Sequence, residues 1–210
     1  MEGTPPILIY LPEDSGLMKV IAINGSPRPI GNTSNILNEV QDMFEREGIE
    51  MEMICVYDYH FVNCNVCLTC EIRGDGRCMD EDDGLNDVLD KLREADAVLM
   101  ASPTYANACP SVMQTFMERA ALVFEKGDLG LNGKVGGAIA VCGHDGGSLV
   151  YNQMVDFLLR NGMNVCGSNP LPIVRALNSP QYEDDKQGMK GVRALVANMT
   201  SLILRLNGYS

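Results

Sequence analysis

Four cysteines crowded into 15 residues are the side chains in this sequence best equipped for chemistry: Cys64, Cys67, Cys70 and Cys78 read C-x2-C-x2-C-x7-C. Thiolates are metal ligands and nucleophiles. Three of them at x2 steps can curl around one face of a compact centre, and the glycine-bearing stretch 71–77 lets the fourth close the cage. That donor set suits a [4Fe–4S] cluster. Structural zinc sites more often pair two C-x2-C knuckles across a long gap, so zinc is the second choice. Disulfide pairing is disfavoured in a reducing compartment, and a loop of unligated thiols is the remaining alternative. Cys55, Cys109, Cys142 and Cys166 are scattered through apolar surroundings and are predicted to be small core residues.

A second stretch has the makings of an anion site. Residues 24–34 read Asn-Gly-Ser-Pro-Arg-Pro-Ile-Gly-Asn-Thr-Ser and run from an apolar segment into a helical one. Amides at a helix N-terminus point outward, the helix dipole is positive there, and hydroxyls and a guanidinium add hydrogen bonds. The lysine of a P-loop is missing, and so is the GxGxxG dinucleotide fingerprint. The plainer alternative is an ordinary turn with Thr33 or Ser34 as N-cap.

The elements that must position these groups follow from hydrophobic periodicity. Apolar runs at 17–24, 50–58, 95–103, 134–143 and near 163–170 predict five strands. Helical spacing follows each of them, for example Ile36, Leu37, Val40 and Phe44, and at the end Val192, Leu195, Val196, Met199, Leu202 and Ile203. Apolar strands alternating with helices predict an α/β fold, a doubly wound five-stranded parallel sheet with helices on both faces. One domain is expected over residues 18–210, with an N-terminal arm at 1–17 and a cysteine-rich insertion at 59–83. In such sheets ligands sit beyond the carboxyl ends of the strands.

Composition narrows the function. The 210 residues are 46% hydrophobic and 21% charged, with a net charge of −12. That charge argues against a nucleic-acid binder, which needs basic surface to displace counterions. No run reaches the roughly 18 apolar residues of a membrane span. The opening residues carry three prolines and no basic region, unlike a secretory leader, so a cytoplasmic location is expected.

Three strand ends together resemble one family. Residues 25–28, GSPR, followed by GNTS at 31–34, are similar to the phosphate-binding loop of the NADPH-dependent FMN reductases of the flavodoxin-like superfamily. Ser102-Pro103-Thr104-Tyr105-Ala106-Asn107, then Pro110 and MQTFMERA, resemble that family's SP-x-Y…P…F-x-DR segment, with Gln114 where lysine is common and Glu118 where aspartate is. Residues 142–147, CGHDGG, correspond to the loop closing over the flavin. The resemblance implies a flavodoxin-like fold, FMN phosphate held by Ser26, Arg28, Asn32, Thr33 and Ser34, and an isoalloxazine ring against Pro103, Thr104, Tyr105, Ala106 and Asn107. Gly143, His144 and Gly146 would flank the ring, with no catalytic side chain required.

The same resemblance extends to iron–sulfur flavoproteins, which carry a compact cysteine motif between the second strand and the next helix. Similar FMN reductases keep a near-copy of it, with an acidic pair like Asp82-Asp83, and need not hold a cluster. The implied function is an FMN-dependent oxidoreductase moving electrons between a donor, a [4Fe–4S] cluster and FMN. The alternative is a cluster-free NAD(P)H-dependent FMN or quinone reductase; a flavin carrier without turnover is a third class. Relatives are homodimers or homotetramers, with ferredoxin or NAD(P)H as donor. The −12 charge does nothing to attract an acidic ferredoxin.

Overall fold

Strand residues that are apolar on both faces need a sheet covered on both sides. The computed structural model describes residues 17–80, 82–127 and 130–209 and shows such a sheet. The predicted arm lies outside the described residues except for Leu17. In chain order the elements are β1 (Lys19–Asn24), α1 (Asn32–Arg46), β2 (Glu50–Cys55), α2 (Thr69–Arg73), α3 (Leu85–Glu94), β3 (Ala97–Pro103), α4 (Ser111–Lys126), β4 (Val135–Cys142), α5 (Gly147–Arg160), β5 (Asn164–Val165), β6 (Ile173–Arg175) and α6 (Lys186–Leu206). All strand pairs are parallel, in the order β2-β1-β3-β4-β5, with β6 also on β4.

Alternation along the strands sorts the core into two layers. Ile21, Ile23, Val98, Met100, Ala138 and Ala140 pack under α3, α4 and α5. Val20, Ala22, Leu99 and Ile139 pack under α1 and α6, against Phe44, Val192, Leu195 and Met199. Phe44, Phe116 and Phe124 are fully buried, each contributing about 1.5–3 kcal/mol of hydrophobic stabilisation. The fold is the doubly wound parallel sandwich that the pattern predicts, in the flavodoxin-like form that the family resemblance implies.

Two details differ from the sequence expectation. The fifth strand position is split: β5 pairs with the start of β4 at Val135 and Gly136, and β6 with its end at Ala140, Val141 and Cys142. Between them Pro170 and Pro172 lack amide donors, so the ladder cannot run through. Second, the N-cap of α1 is Gly31, in an extended conformation. Thr33 and Ser34 lie inside the first turn rather than capping it. Of the scattered cysteines, Cys109, Cys142 and Cys166 are buried and Cys55, at the end of β2, is half-buried. No helix among the described residues is long and apolar enough to cross a membrane.

Candidate functional site

Because every strand runs the same way, Asn24, Cys55, Pro103, Cys142 and Arg175 all end at one edge of the sheet. Buried Asn24 builds the first loop there. Its Oδ1 accepts from the Ser26 amide at 2.9 Å and its Nδ2 donates to Ser34 Oγ at 3.0 Å. Ser34 Oγ donates onward to the Arg28 carbonyl at 2.9 Å, and the Gly31 amide reaches the same carbonyl at 3.1 Å. The Arg28 amide donates to Ser26 Oγ at 3.2 Å. The loop is therefore closed by groups other than the Arg28 side chain. No side chain caps α1 and no acid sits in its first turn, so its first amides and the positive end of its dipole are available to an anion.

Across from this helix end lies the loop after β3. Thr104 donates its amide to the Val141 carbonyl at 2.8 Å, and Tyr105 and Ala108 exchange backbone bonds of 2.9 and 3.0 Å. The turn between them puts Ala106 and Asn107 at φ of 49° and 62°. Asn accepts that conformation readily, whereas Ala there costs about 1 kcal/mol. Gly146, at φ +81°, lies on this turn: a Cβ on it would stand 2.8 Å from both Asn107 Cα and Thr104 Cγ2. Only glycine lets the loop at 143–147 close so tightly.

A cavity of about 120 Å³ opens between the two loops. Ser26, Arg28, Asn32 and Thr33 line one side; Pro103, Thr104, Tyr105 and Gly143 line the other. Ser34 supports the loop from within. Ala106, Asn107 and His144 are exposed beside the cavity, and Gly146 braces the turn. Sequence reasoning missed Asn24, which holds the loop, and Val141, Ala176 and Leu177, which complete the wall. A complete ligand needs roughly 300 Å³ or more, so this cavity has room for a phosphate-sized end of a ligand and not for a whole flavin. The Thr104 hydroxyl is buried and has no hydrogen-bond partner among the described residues. An orphaned polar group at the cavity wall fits a flavin that brings polar ring atoms to it.

The cysteine segment joins β2 to α3. Cys64, Cys67, Cys70 and Cys78 all line one larger cavity of about 530 Å³, together with Arg119, Leu122 and Val123 of α4. Val66 and Leu68, between the first three, sit at φ of 54° and 58°, unfavourable for a β-branched and a bulky residue. The Val66 amide donates to Cys64 Sγ at 3.4 Å. Hydrogen bonds from Thr69 pull the Cys67 thiol below its usual range, while burial pushes Cys70 up. All four thiols are free. Among the described residues no three His, Cys, Asp or Glu converge as ligands of a single ion. A zinc ion would need sulfurs about 3.8 Å apart. The corners of an iron–sulfur cubane stand farther apart, and for that group four thiols around one cavity are the relevant donor set.

Arg119 ties this segment to the fold. Its side chain and that of Asp83 are 2% and 5% exposed and form an ion pair. Arg119 Nη1 also donates to the Val62 carbonyl at 3.0 Å, and Nη2 to Cys78 Sγ at 3.0 Å. Burial opposes the charge on Arg119, but Cys78 and Asp83 outweigh it and hold the guanidinium more firmly protonated than usual. Asn86, buried, fixes the Cys78 backbone in both directions, accepting from its amide at 2.8 Å and donating to its carbonyl at 3.1 Å. The sequence contained a signal for Arg119: it falls on the apolar stripe of α4, between Phe116 and Val123, where a charge must have a buried partner.

Comparison with known proteins identifies the family and the fold. Residues 18–178 match the NADPH-dependent FMN reductase family. An iron–sulfur flavoprotein of Methanocaldococcus jannaschii is 36% identical over 154 residues, covering 72% of this chain and 77% of that protein. The crystal structure of RosB with a bound 8-demethyl-8-formylriboflavin-5'-phosphate intermediate has a TM-score of 0.71 at 24% identity, covering 91% of this chain and 82% of that one. An archaeal flavodoxin has a TM-score of 0.58 at 20% identity, over 89% and 99% of the two chains; these two likenesses show the fold. The family match runs from just before β1 to just past β6, across every loop that lines the smaller cavity, and the chain belongs to the NADPH-dependent FMN reductase family.

Proposed function

We propose that this chain is an iron–sulfur flavoprotein: an FMN-dependent oxidoreductase that moves electrons between an outside donor, a [4Fe–4S] cluster and FMN. The flavin supplies one- and two-electron chemistry and the cluster one-electron chemistry; the chain's own part is to hold and orient them. Ser26, Arg28, Asn32, Thr33 and the first turn of α1 would bind the phosphate. Pro103, Thr104, Tyr105, Ala106 and Asn107 would carry the ring, with Gly143, His144 and Gly146 beside it. Ser34 contributes by holding the loop. Cys64, Cys67, Cys70 and Cys78 would ligate the cluster.

One observation carries the cluster reading: all four thiols of a compact motif line one cavity, and the fourth accepts a hydrogen bond from a buried guanidinium. The strained backbone at Val66 and Leu68 adds support, since such strain persists where function requires it. The name of the Methanocaldococcus relative points the same way. Five exposed apolar side chains near the thiols, Val62, Val66, Leu68, Ile72 and Met79, support a homodimer or homotetramer in which another subunit covers them. Ferredoxin or NAD(P)H would be the donor, in the cytoplasm.

The test is anaerobic purification followed by iron, acid-labile sulfide and flavin analysis of one sample. About four irons and four sulfides per FMN are expected, lost in Cys67→Ser with FMN retained. FMN without iron after anaerobic reconstitution would favour the second reading, a cluster-free NAD(P)H-dependent FMN or quinone reductase. That reading draws on the family's own description and on the lack of convergence among the thiols. Steady-state NAD(P)H oxidation would then separate it from a flavin carrier.

A further inference from the structure

We infer that Arg119 is a positioning residue for the cysteine centre: its guanidinium fixes Cys78 as the preset corner of the site and holds the reduction potential of the bound cluster up. This rests on the cluster reading above. Arg119 stands on the buried stripe of α4 beside Phe116, Ala120 and Val123, and an unpaired charge there would be strongly destabilising. Each of its partners comes from the segment between β2 and α3: the Val62 carbonyl, the Asp83 carboxylate and Cys78 Sγ.

Those partners do different work. Asp83 alone would neutralise the charge, and its oxygens already accept from the Val62 amide at 3.1 Å and the Leu85 amide at 3.1 Å. What neutralisation leaves unexplained is Nη2, aimed at a sulfur at 3.0 Å. A donor bond to a neutral thiol is weak; the same bond to a sulfur carrying negative charge is charge-assisted and strong. Cys64 Sγ, by contrast, accepts from a neutral backbone amide, that of Val66, at 3.4 Å. Cys78 has the guanidinium, and its backbone is clamped by Asn86. One corner is thus rigid and electropositive, while Cys64 and Cys67 ride on the strained loop and Cys70 sits in the one-turn helix α2 that follows it.

The electrostatic consequence has a sign. Reduction adds negative charge to a cluster, and hydrogen bonds to its sulfurs and nearby positive charge favour the reduced form. Removing the guanidinium must lower the potential; removing the Asp83 charge, which opposes it, must raise the potential. A purely mechanical strut would produce no such opposition.

The experiment compares the reconstituted full-length protein with Arg119→Gln, Arg119→Lys and Asp83→Asn, by iron content and by anaerobic potentiometric titration of the cluster absorbance. Arg119→Gln should shift the oxidised-to-reduced ratio at fixed poise at least tenfold toward oxidised, about 59 mV for a one-electron couple. Asp83→Asn should shift it the other way, and Arg119→Lys should fall between Arg119→Gln and the unaltered protein. If Arg119→Gln does not fold, the opposed signs of Asp83→Asn and Arg119→Lys still decide. Shifts in the same direction, or ratios within twofold of the unaltered protein at full iron content, would overturn the inference and leave the cluster reading intact. Loss of iron from all three variants would make Arg119 a strut and overturn it as well. An unaltered protein that takes up no iron would remove the cluster reading and the inference with it.

Discussion

Arg28→Ala separates recognition of the phosphate from recognition of the ring. The side chain lines the cavity opposite Pro103 and Thr104, but it does not hold the loop together. The bonds that do, from Asn24, Ser26, Gly31 and Ser34, use the Arg28 backbone or bypass the residue, so truncation at Cβ leaves the cradle in place. A hydrogen bond to a charged group contributes about 1.5–3 kcal/mol. Arg28 is exposed and its charge is screened by water and salt, so about 1–2 kcal/mol is the fair share. That converts to FMN binding roughly 5- to 30-fold weaker. Riboflavin has the same ring and no phosphate, and its affinity should change less than about twofold on this accounting. The assay is fluorescence titration of the apoprotein with each flavin at low and high ionic strength, where the FMN penalty should shrink as salt rises. Equal weakening of both flavins would refute the assignment of 24–34 to the phosphate, as would an unchanged FMN affinity.

Two further outcomes follow from local environments. Thr104→Val removes a buried hydroxyl that has no partner; the apoprotein should keep its stability or gain up to about 1 kcal/mol in urea unfolding, while FMN binding weakens several-fold. Lower apoprotein stability would show that the hydroxyl is already satisfied. Glu52, 2.7 Å from Lys19 Nζ and 2.6 Å from Lys91 Nζ, has its carboxyl held below the ordinary value of 4.5 by hydrogen bonds from Lys19 and Lys91. A depressed carboxylate stabilises the fold above its unfolded value and loses that contribution as pH falls through the folded one. Glu52→Gln should therefore cost about 0.5–1 kcal/mol at pH 7 and converge with the unaltered protein in melts near pH 3; a constant difference across that range would contradict the pairing.

What could be read before the structure was what neighbouring residues encode. The two-faced apolar run at 20–23 requires a covered sheet, and the stretch 24–34 contains its own turn residues, hydroxyls and helix start. The fifth strand lies where the apolar run near 163–170 places it, but the separate β6 is not legible, because three residues are too few to show a period and Pro170 and Pro172 break a ladder rather than a hydrophobic run. Thr33 and Ser34 are good capping types, but the extended backbone at Gly31 starts the helix earlier. Val141 reaches the cavity from β4 and Leu177 from the bend after β6, both far along the chain, and no local pattern marks them. Arg119 lies 36, 41 and 57 residues from Asp83, Cys78 and Val62. Its place on the apolar stripe was visible, yet which groups would neutralise it depended on folding.

Helix α4 explains why the two candidate sites can be held in register. Its first turn belongs to the flavin side: Gln114 Nε2 donates to the Cys109 carbonyl at 2.7 Å, and the Cys109 amide donates to Gln153 Oε1 at 2.8 Å, anchoring the loop that follows Thr104. The next turns belong to the cysteine side. Thr115 bonds Asn63 at 3.0 Å, Phe116 meets Phe61 with ring centroids 5.9 Å apart, and Arg119 takes Val62, Asp83 and Cys78. From Ser111 to Arg119 a helix rises about 12 Å. A separation set by helical hydrogen bonds is stiffer than one set by loops, so the strained turns at Ala106 and at Val66 are both fastened to the same rod. The cysteine segment, with few buried side chains of its own, takes its position from α4 and α3 rather than from a core. That is why the side chains that matter most for it, Arg119 and Asn86, lie outside the motif they serve.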